Sequence, residues 1–86
     1  MYKLTIKSSA KRDTKSLSKE GLEKIDREIK SLKINPLPPG VKKIKKGKKL
    51  HYRIRKGNFR IGYQLNFSER KVTIVYLKRR SEATYK

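Results

Sequence analysis

The sequence predicts an α+β domain: a small, twisted, mainly antiparallel sheet with two N-terminal helices on one face, in the order β-α-α-β-β-β. Three observations carry this. From Leu50 to Tyr63 apolar and polar residues alternate with a period of two, and Lys56-Gly57-Asn58 breaks the run, as in two antiparallel strands around a tight turn. Leu22, Ile25, Ile29 and Leu32 recur at helical spacing. Val72, Ile74 and Tyr76 on one parity and Val75 and Leu77 on the other describe a strand that is apolar on both faces, which belongs inside a sheet.

Taken in order, Tyr2, Leu4 and Ile6 alternate with Lys3, Thr5 and Lys7 in a half-buried strand. Ser8 and Ser9 can cap a short helix running to about Ser16, with Ala10 and Leu17 as its apolar anchors. Ser18 is the N-cap candidate of the longer helix. Within it Glu20–Lys24, Glu23–Arg27 and Asp26–Lys30 set the acid four residues ahead of the base, the better orientation. Asn35-Pro36 stops that helix, and Pro36-Leu37-Pro38-Pro39-Gly40 forces an extended connector. Residues 42–49 hold six lysines and read as a mobile, solvated loop. In the hairpin, Leu50, Tyr52, Ile54, Phe59, Ile61, Tyr63 and Leu65 share one face, while His51, Arg53, Arg55 and Arg60 share the other. Asn66 to Arg70 forms a turn, and Ser81 to Lys86 a short tail after the last strand. There is no internal repeat, and residues 1–86 form one domain.

Composition narrows the function. At 86 residues, one core only just suffices. Without cysteine there is no disulfide framework and no thiolate metal site, and a single histidine makes no zinc set. No metal, cofactor or small-molecule ligand is expected. No apolar run approaches the ~20 residues that cross a bilayer. The N-terminus alternates where a signal peptide would be continuously apolar. A cytoplasmic protein without membrane partners is expected.

Charge points to the partner. Lys and Arg number 26 against 7 acids, a net charge of +19. Residues 1–40 carry a net +5 and residues 41–86 a net +14, so the excess lies on the hairpin half. Such a concentration repels itself and favours a polyanion, most commonly nucleic acid, or a strongly acidic protein.

With these residues in place, the chain resembles the RelE/ParE superfamily of type II toxin–antitoxin toxins, and within it the RelE-like ribosome-dependent mRNA interferases. The resemblance covers nearly the whole chain. It includes the two N-terminal helices, Lys43-Ile44-Lys45, Tyr52-Arg53-Ile54-Arg55, the turn at Gly57, Phe59-Arg60-Ile61 with Tyr63, and the last strand leading to Lys78-Arg79. It implies cleavage of mRNA in the ribosomal A site by attack of a 2′-hydroxyl on the adjacent phosphate, without a metal, and neutralisation by an acidic antitoxin. By position it implies Arg53, Arg55, Arg60, Arg79 and Tyr85 as catalytic residues. Lys45 matches a family residue that helps hold the RNA. Lys43, Lys46, Lys48 and Lys49 join it as candidate RNA contacts through their charge. The register shared with Val75 and Leu77 would carry Arg79 to the open face beside Arg60. Fixed guanidiniums suit a reaction that builds negative charge on phosphate oxygens, and Tyr85 suits stacking on a splayed base.

The chain departs from its best-known relatives in one respect. They carry lysines where Arg53 and Arg55 stand, and arginine stays protonated and cannot take a proton. The general base is therefore open among a lysine of residues 43–49, His51 and Tyr85. Two other functions share these features: a ParE-like DNA gyrase poison on the same fold, and a non-enzymatic RNA-binding module.

Overall fold

A computed structural model describes residues 1–57 and 59–79, residues 16 and 79 by their backbone alone. The elements are β1 (Lys3–Ile6), α1 (Ser8–Asp13), a 3-10 turn (Thr14–Ser16), α2 (Lys19–Ile34), β2 (Lys42–Lys46), β3 (Lys49–Lys56), β4 (Phe59–Asn66) and β5 (Lys71–Arg79). They build one sheet in the order β1-β5-β4-β3-β2. β1 pairs with β5 in parallel, and every other neighbouring pair is antiparallel. The last strand is therefore interior, as its apolar character predicts.

The long helix starts where its cap predicts. The Ser18 hydroxyl oxygen accepts from the Gly21 N–H at 3.1 Å. Its buried stripe is Gly21, Ile25, Ile29 and Leu32. Leu22, expected in that stripe, is 40% exposed. Gly21 occupies the inward position instead, because the ring of Phe59 approaches to 3.3 Å of where a Cβ would stand. Of the three acid–base pairs along this helix, Asp26–Lys30 closes at 2.9 Å. The first helix departs from expectation. It ends at Asp13 in the 3-10 turn, and its N-cap is Lys7, without a side-chain cap. Ser9, free of the capping role, donates to the Val75 carbonyl at 2.8 Å.

The lysine-rich stretch is not a loop through its length. Residues 42–46 form the edge strand β2 against β3, with the half-buried Ile44 as its one apolar residue, and the positive φ of Gly47 turns the chain back. An edge strand bearing lysines is also protected against pairing with another sheet.

β5 contains a bulge. Gly62 pairs with Tyr76 and Tyr63 with Ile74, which leaves Val75 as the extra residue. The alternation therefore resets, and Ile74 and Leu77 are both buried on the helix side. Val75 and Leu77 do not share a parity that continues to Arg79, so the expected placement of Arg79 through them does not hold. The bulge is tied down by α1, since Leu77 N–H donates to Asp13 Oδ2 at 3.1 Å beside the Ser9–Val75 bond.

The core lies between sheet and helices. Ile54, Ile61, Tyr63, Val72, Ile74 and Leu77 meet Ala10, Ile25, Ile29 and Leu32. Tyr63, fully buried, donates its hydroxyl to the Pro36 carbonyl at 2.7 Å and stacks on Tyr52 with ring centroids 5.9 Å apart. Burial, and secondly the neighbouring Tyr52, push its phenol up to about 12. Among the described residues no helix is long and apolar enough to cross a membrane.

Candidate nucleic-acid interface

The second face of the sheet carries the basic residues, and strand pairing arranges them in rows. Arg55 of β3 stands opposite Arg60 of β4, which stands opposite Lys78 of β5. The next row runs Lys42, Arg53, Gly62 and Tyr76 across four strands. His51 follows, paired with Ile44. Like charges directly opposite on neighbouring strands are mutually destabilising. The ion pairs that form nearby, Glu28–Lys56 at 3.9 Å and Asp26–Lys30, engage none of the three arginines.

Arg53 and Arg60 are half-buried, and the Nε atom of each is buried with no hydrogen-bond partner. An unmade bond to a buried charged donor costs at least ~1–3 kcal/mol. An anion laid on this face would supply both missing acceptors, and the fork of a guanidinium matches the oxygens of a phosphate.

Between these arginines lies Tyr76. Its ring rests over Gly62, where a Cβ would fall within the ring's own atoms. The absence of a side chain there lets Tyr76 reach from β5 across β4 to β3. Its hydroxyl oxygen stands 3.0 Å from His51 Nε2, and the two rings meet edge-on at 5.4 Å. In one imidazole tautomer Tyr76 donates to Nε2; in the other Nε2–H donates to the phenol oxygen. Burial pushes the Tyr76 phenol up from its ordinary value, against the pull of Arg53 and Arg60, so it is neutral at physiological pH.

The structure thus brings together Arg53, Arg55 and Arg60, as expected. Lys46 and Lys49, paired with each other, share the parity of the arginine face, and Lys48 lies in the turn between β2 and β3. Lys43 and Lys45 pair with Tyr52 and Leu50 and so fall on the opposite parity. Arg79 ends β5 opposite Phe59, its side chain not among those described, and Tyr85 lies outside the described residues. Sequence reasoning overlooked Lys42, Gly62 and Tyr76. The bulge hides the Gly62–Tyr76 pairing, since uninterrupted alternation would place Tyr76 among the core residues Val72 and Ile74. Among the described residues no group of three His, Cys, Asp or Glu side chains could hold a metal ion.

No family model matches the chain. A protein of Methanocaldococcus jannaschii named "Putative toxin RelE1" is 34% identical over 87 residues, spanning 99% of this chain and 96% of that protein. The chain belongs to the RelE family of toxins. Solved structures agree. The RelE–RelB complex of Pyrococcus horikoshii OT3 contains a chain that matches with a TM-score of 0.80 at 25% identity, covering 94% of this chain and 97% of that one. The toxin–antitoxin complex RelBE2 of Mycobacterium tuberculosis matches with a TM-score of 0.82 at 21% identity, covering 92% and 98%, a likeness of fold. Within this RelE fold, the arginine rows occupy the sheet face that the helices leave open.

Proposed function

We propose that this chain is the toxin of a type II toxin–antitoxin pair and an endoribonuclease that cleaves mRNA in the ribosomal A site. The observation that carries this reading is the pair of half-buried guanidiniums, Arg53 and Arg60, whose Nε donors have no partner. In the reaction a 2′-oxygen attacks the adjacent phosphorus, the bond to the 5′-oxygen breaks, and negative charge grows on the non-bridging oxygens. Arg53, Arg55 and Arg60 stabilise that charge, and fixed donors of this kind act most strongly where water is excluded. The products are a 2′,3′-cyclic phosphate and a 5′-hydroxyl. Tyr85 stacks on a base beside the scissile bond, and Lys42, Lys46 and Lys49, on the arginine-face parity, hold the backbone by charge alone. This chemistry uses no metal or cofactor.

The partner half of the reading rests on relatives whose structures are complexes of RelE with RelB. Here the antitoxin is acidic where it covers the half carrying +14. Primer extension on ribosomes programmed with a defined mRNA tests the proposal. Cleavage within the A-site codon, leaving a cyclic phosphate and abolished by the antitoxin, is the expected result. Intact mRNA together with inhibited DNA gyrase would replace this reading with the gyrase one.

A further inference from the structure

We infer that His51, held by Tyr76 across Gly62, is the general base that takes the proton of the attacking 2′-hydroxyl. The inference rests on the endoribonuclease reading above and assigns a role which the arginines cannot fill, since a guanidinium stays protonated.

The geometry carries it. β3 and β5 are separated by β4, roughly 9.5 Å from strand to strand. A hydrogen bond between side chains of two non-adjacent strands needs the middle strand to be bare at the crossing. Gly62 makes it bare, and Tyr76 lies in the space where a side chain at 62 would stand. The hydroxyl then meets His51 Nε2 at 3.0 Å. His51 stands two residues from Arg53 on the same face, and Gly62 stands two residues from Arg60. The only imidazole in the chain is thus held next to Arg53 on β3 and bonded to a phenol that feels the charge of both unpartnered guanidiniums, Arg53 and Arg60. A solvent-facing packing histidine would need no such bridge.

Tyr76 is a positioning residue here. When Nε2–H donates to the phenol oxygen, the lone pair is left on Nδ1. In the step, the O–H bond of the 2′-hydroxyl breaks and its proton passes to Nδ1. The freed electron pair forms the 2′-oxygen–phosphorus bond. The bond from phosphorus to the 5′-oxygen breaks, and that oxygen leaves with the electron pair and takes a proton from water. The imidazolium then returns its proton to solvent. Among the described residues, the charged and titratable groups sharing this face are Lys3 of β1, Lys42 and Lys46 of β2, Lys49, Arg53 and Arg55 of β3, Arg60 of β4, and Lys71, Tyr76 and Lys78 of β5.

Single-turnover cleavage of ribosome-bound mRNA across pH, with the full-length chain and its His51→Ala, His51→Gln and Tyr76→Phe variants, tests the inference. Both His51 variants should lose ~10²–10⁴-fold in maximal rate. Their ribosome affinity should stay within about threefold, and the acidic limb of the pH–rate profile should disappear. Added imidazole should restore part of the His51→Ala rate. Tyr76→Phe keeps the ring over Gly62 but removes the bond, so its rate should fall roughly five- to tenfold, the equivalent of one hydrogen bond, with the acidic limb displaced. A His51→Ala rate within about threefold of wild type, or a slower rate with the acidic limb unchanged, would overturn the assignment of His51 alone. If His51→Ala does not fold, His51→Gln decides by the same criteria. Wild type that cleaves nothing would remove the endoribonuclease reading, and this inference with it.

Discussion

Tyr76 lies over Gly62 so closely that a single methyl group at position 62 would occupy the space of its ring. One coupling follows. In the wild-type background Gly62→Ala should destabilise by ~1–3 kcal/mol, the ordinary cost of overpacking. With Tyr76→Ala already present, the same change should be neutral or stabilising, because alanine is otherwise better than glycine in a strand by ~0.5–1 kcal/mol. A double-mutant cycle by denaturant unfolding measures this. Equal costs in both backgrounds would mean that the two residues do not contest that space.

Asp13 should matter to stability out of proportion to its place at the end of a short helix. Its carboxylate accepts the Leu77 N–H that the bulge frees from the ladder. Asp13→Ala leaves that donor without its acceptor, and the expected loss is about 1–3 kcal/mol. Asp13→Asn keeps an accepting oxygen and should retain most of the stability. Equal midpoints for the wild-type and Asp13→Ala chains would show that the bulge holds itself.

Alkaline pH should expose the burial of Tyr63. Its phenol is held at about 12 in the folded chain, against 10.0 as its ordinary value. Between those values the unfolded chain has released a proton that the folded chain retains. Stability from this group therefore falls as pH rises, by an amount on the order of 2 kcal/mol. The lysines titrate there too, so the informative quantity is the difference between wild type and Tyr63→Phe. Wild type should lead by ~1 kcal/mol below pH 10 through the bond to Pro36. That lead should vanish roughly half a unit above pH 10 and reverse towards pH 12, where wild type should lie ~1 kcal/mol below Tyr63→Phe. A lead independent of pH would contradict the burial argument.

The parts of this fold that were legible in the sequence are those where one signal acts locally. Ser18 caps its helix because an acceptor three residues ahead of a free N–H is a local matter. The two faces of the hairpin follow from the turn at Gly57, whose φ of 58° is easy for glycine, and from strict alternation on either side. The misreadings arise where a distant contact decides. Nothing near Leu22 shows that Phe59 will crowd position 21 and rotate the buried stripe. β2 is hidden because an edge strand can be solvated on both faces, which erases the period of two and leaves Ile44 as its trace. The bulge at Val75 mimics a strand buried on both faces, and so conceals the crossing of Tyr76 to His51. The arginine face was visible because charge and parity agree there. The Tyr76–His51 contact was not, because it depends on a register shift, and alternation alone left His51 as one of three candidate bases.

The two faces of β2 separate attraction from bystander charge. Replacing Lys42, Lys46 and Lys49 with glutamine should flatten the salt dependence of ribosome binding by ~0.7–0.9 in log–log slope for each phosphate that is no longer neutralised. Replacing Lys43 and Lys45, on the other parity, should leave the slope nearly unchanged. The rate at saturating ribosome should stay within roughly tenfold for both sets, about 1.4 kcal/mol of barrier. A collapse of that rate in either set would move proton transfer to a lysine.

The central claim, that the open-face guanidiniums stabilise a cleavage transition state, is tested most directly by Arg60→Ala. The measurement is the single-turnover cleavage rate at saturating ribosome, taken beside the dissociation constant. Loss of one fixed donor to a developing oxyanion should lower the rate ~10²–10³-fold. Affinity should change little, because Arg60 is one of many basic residues in this half of the chain. Equal losses in rate constant and affinity would contradict the claim and make Arg60 an ordinary phosphate contact.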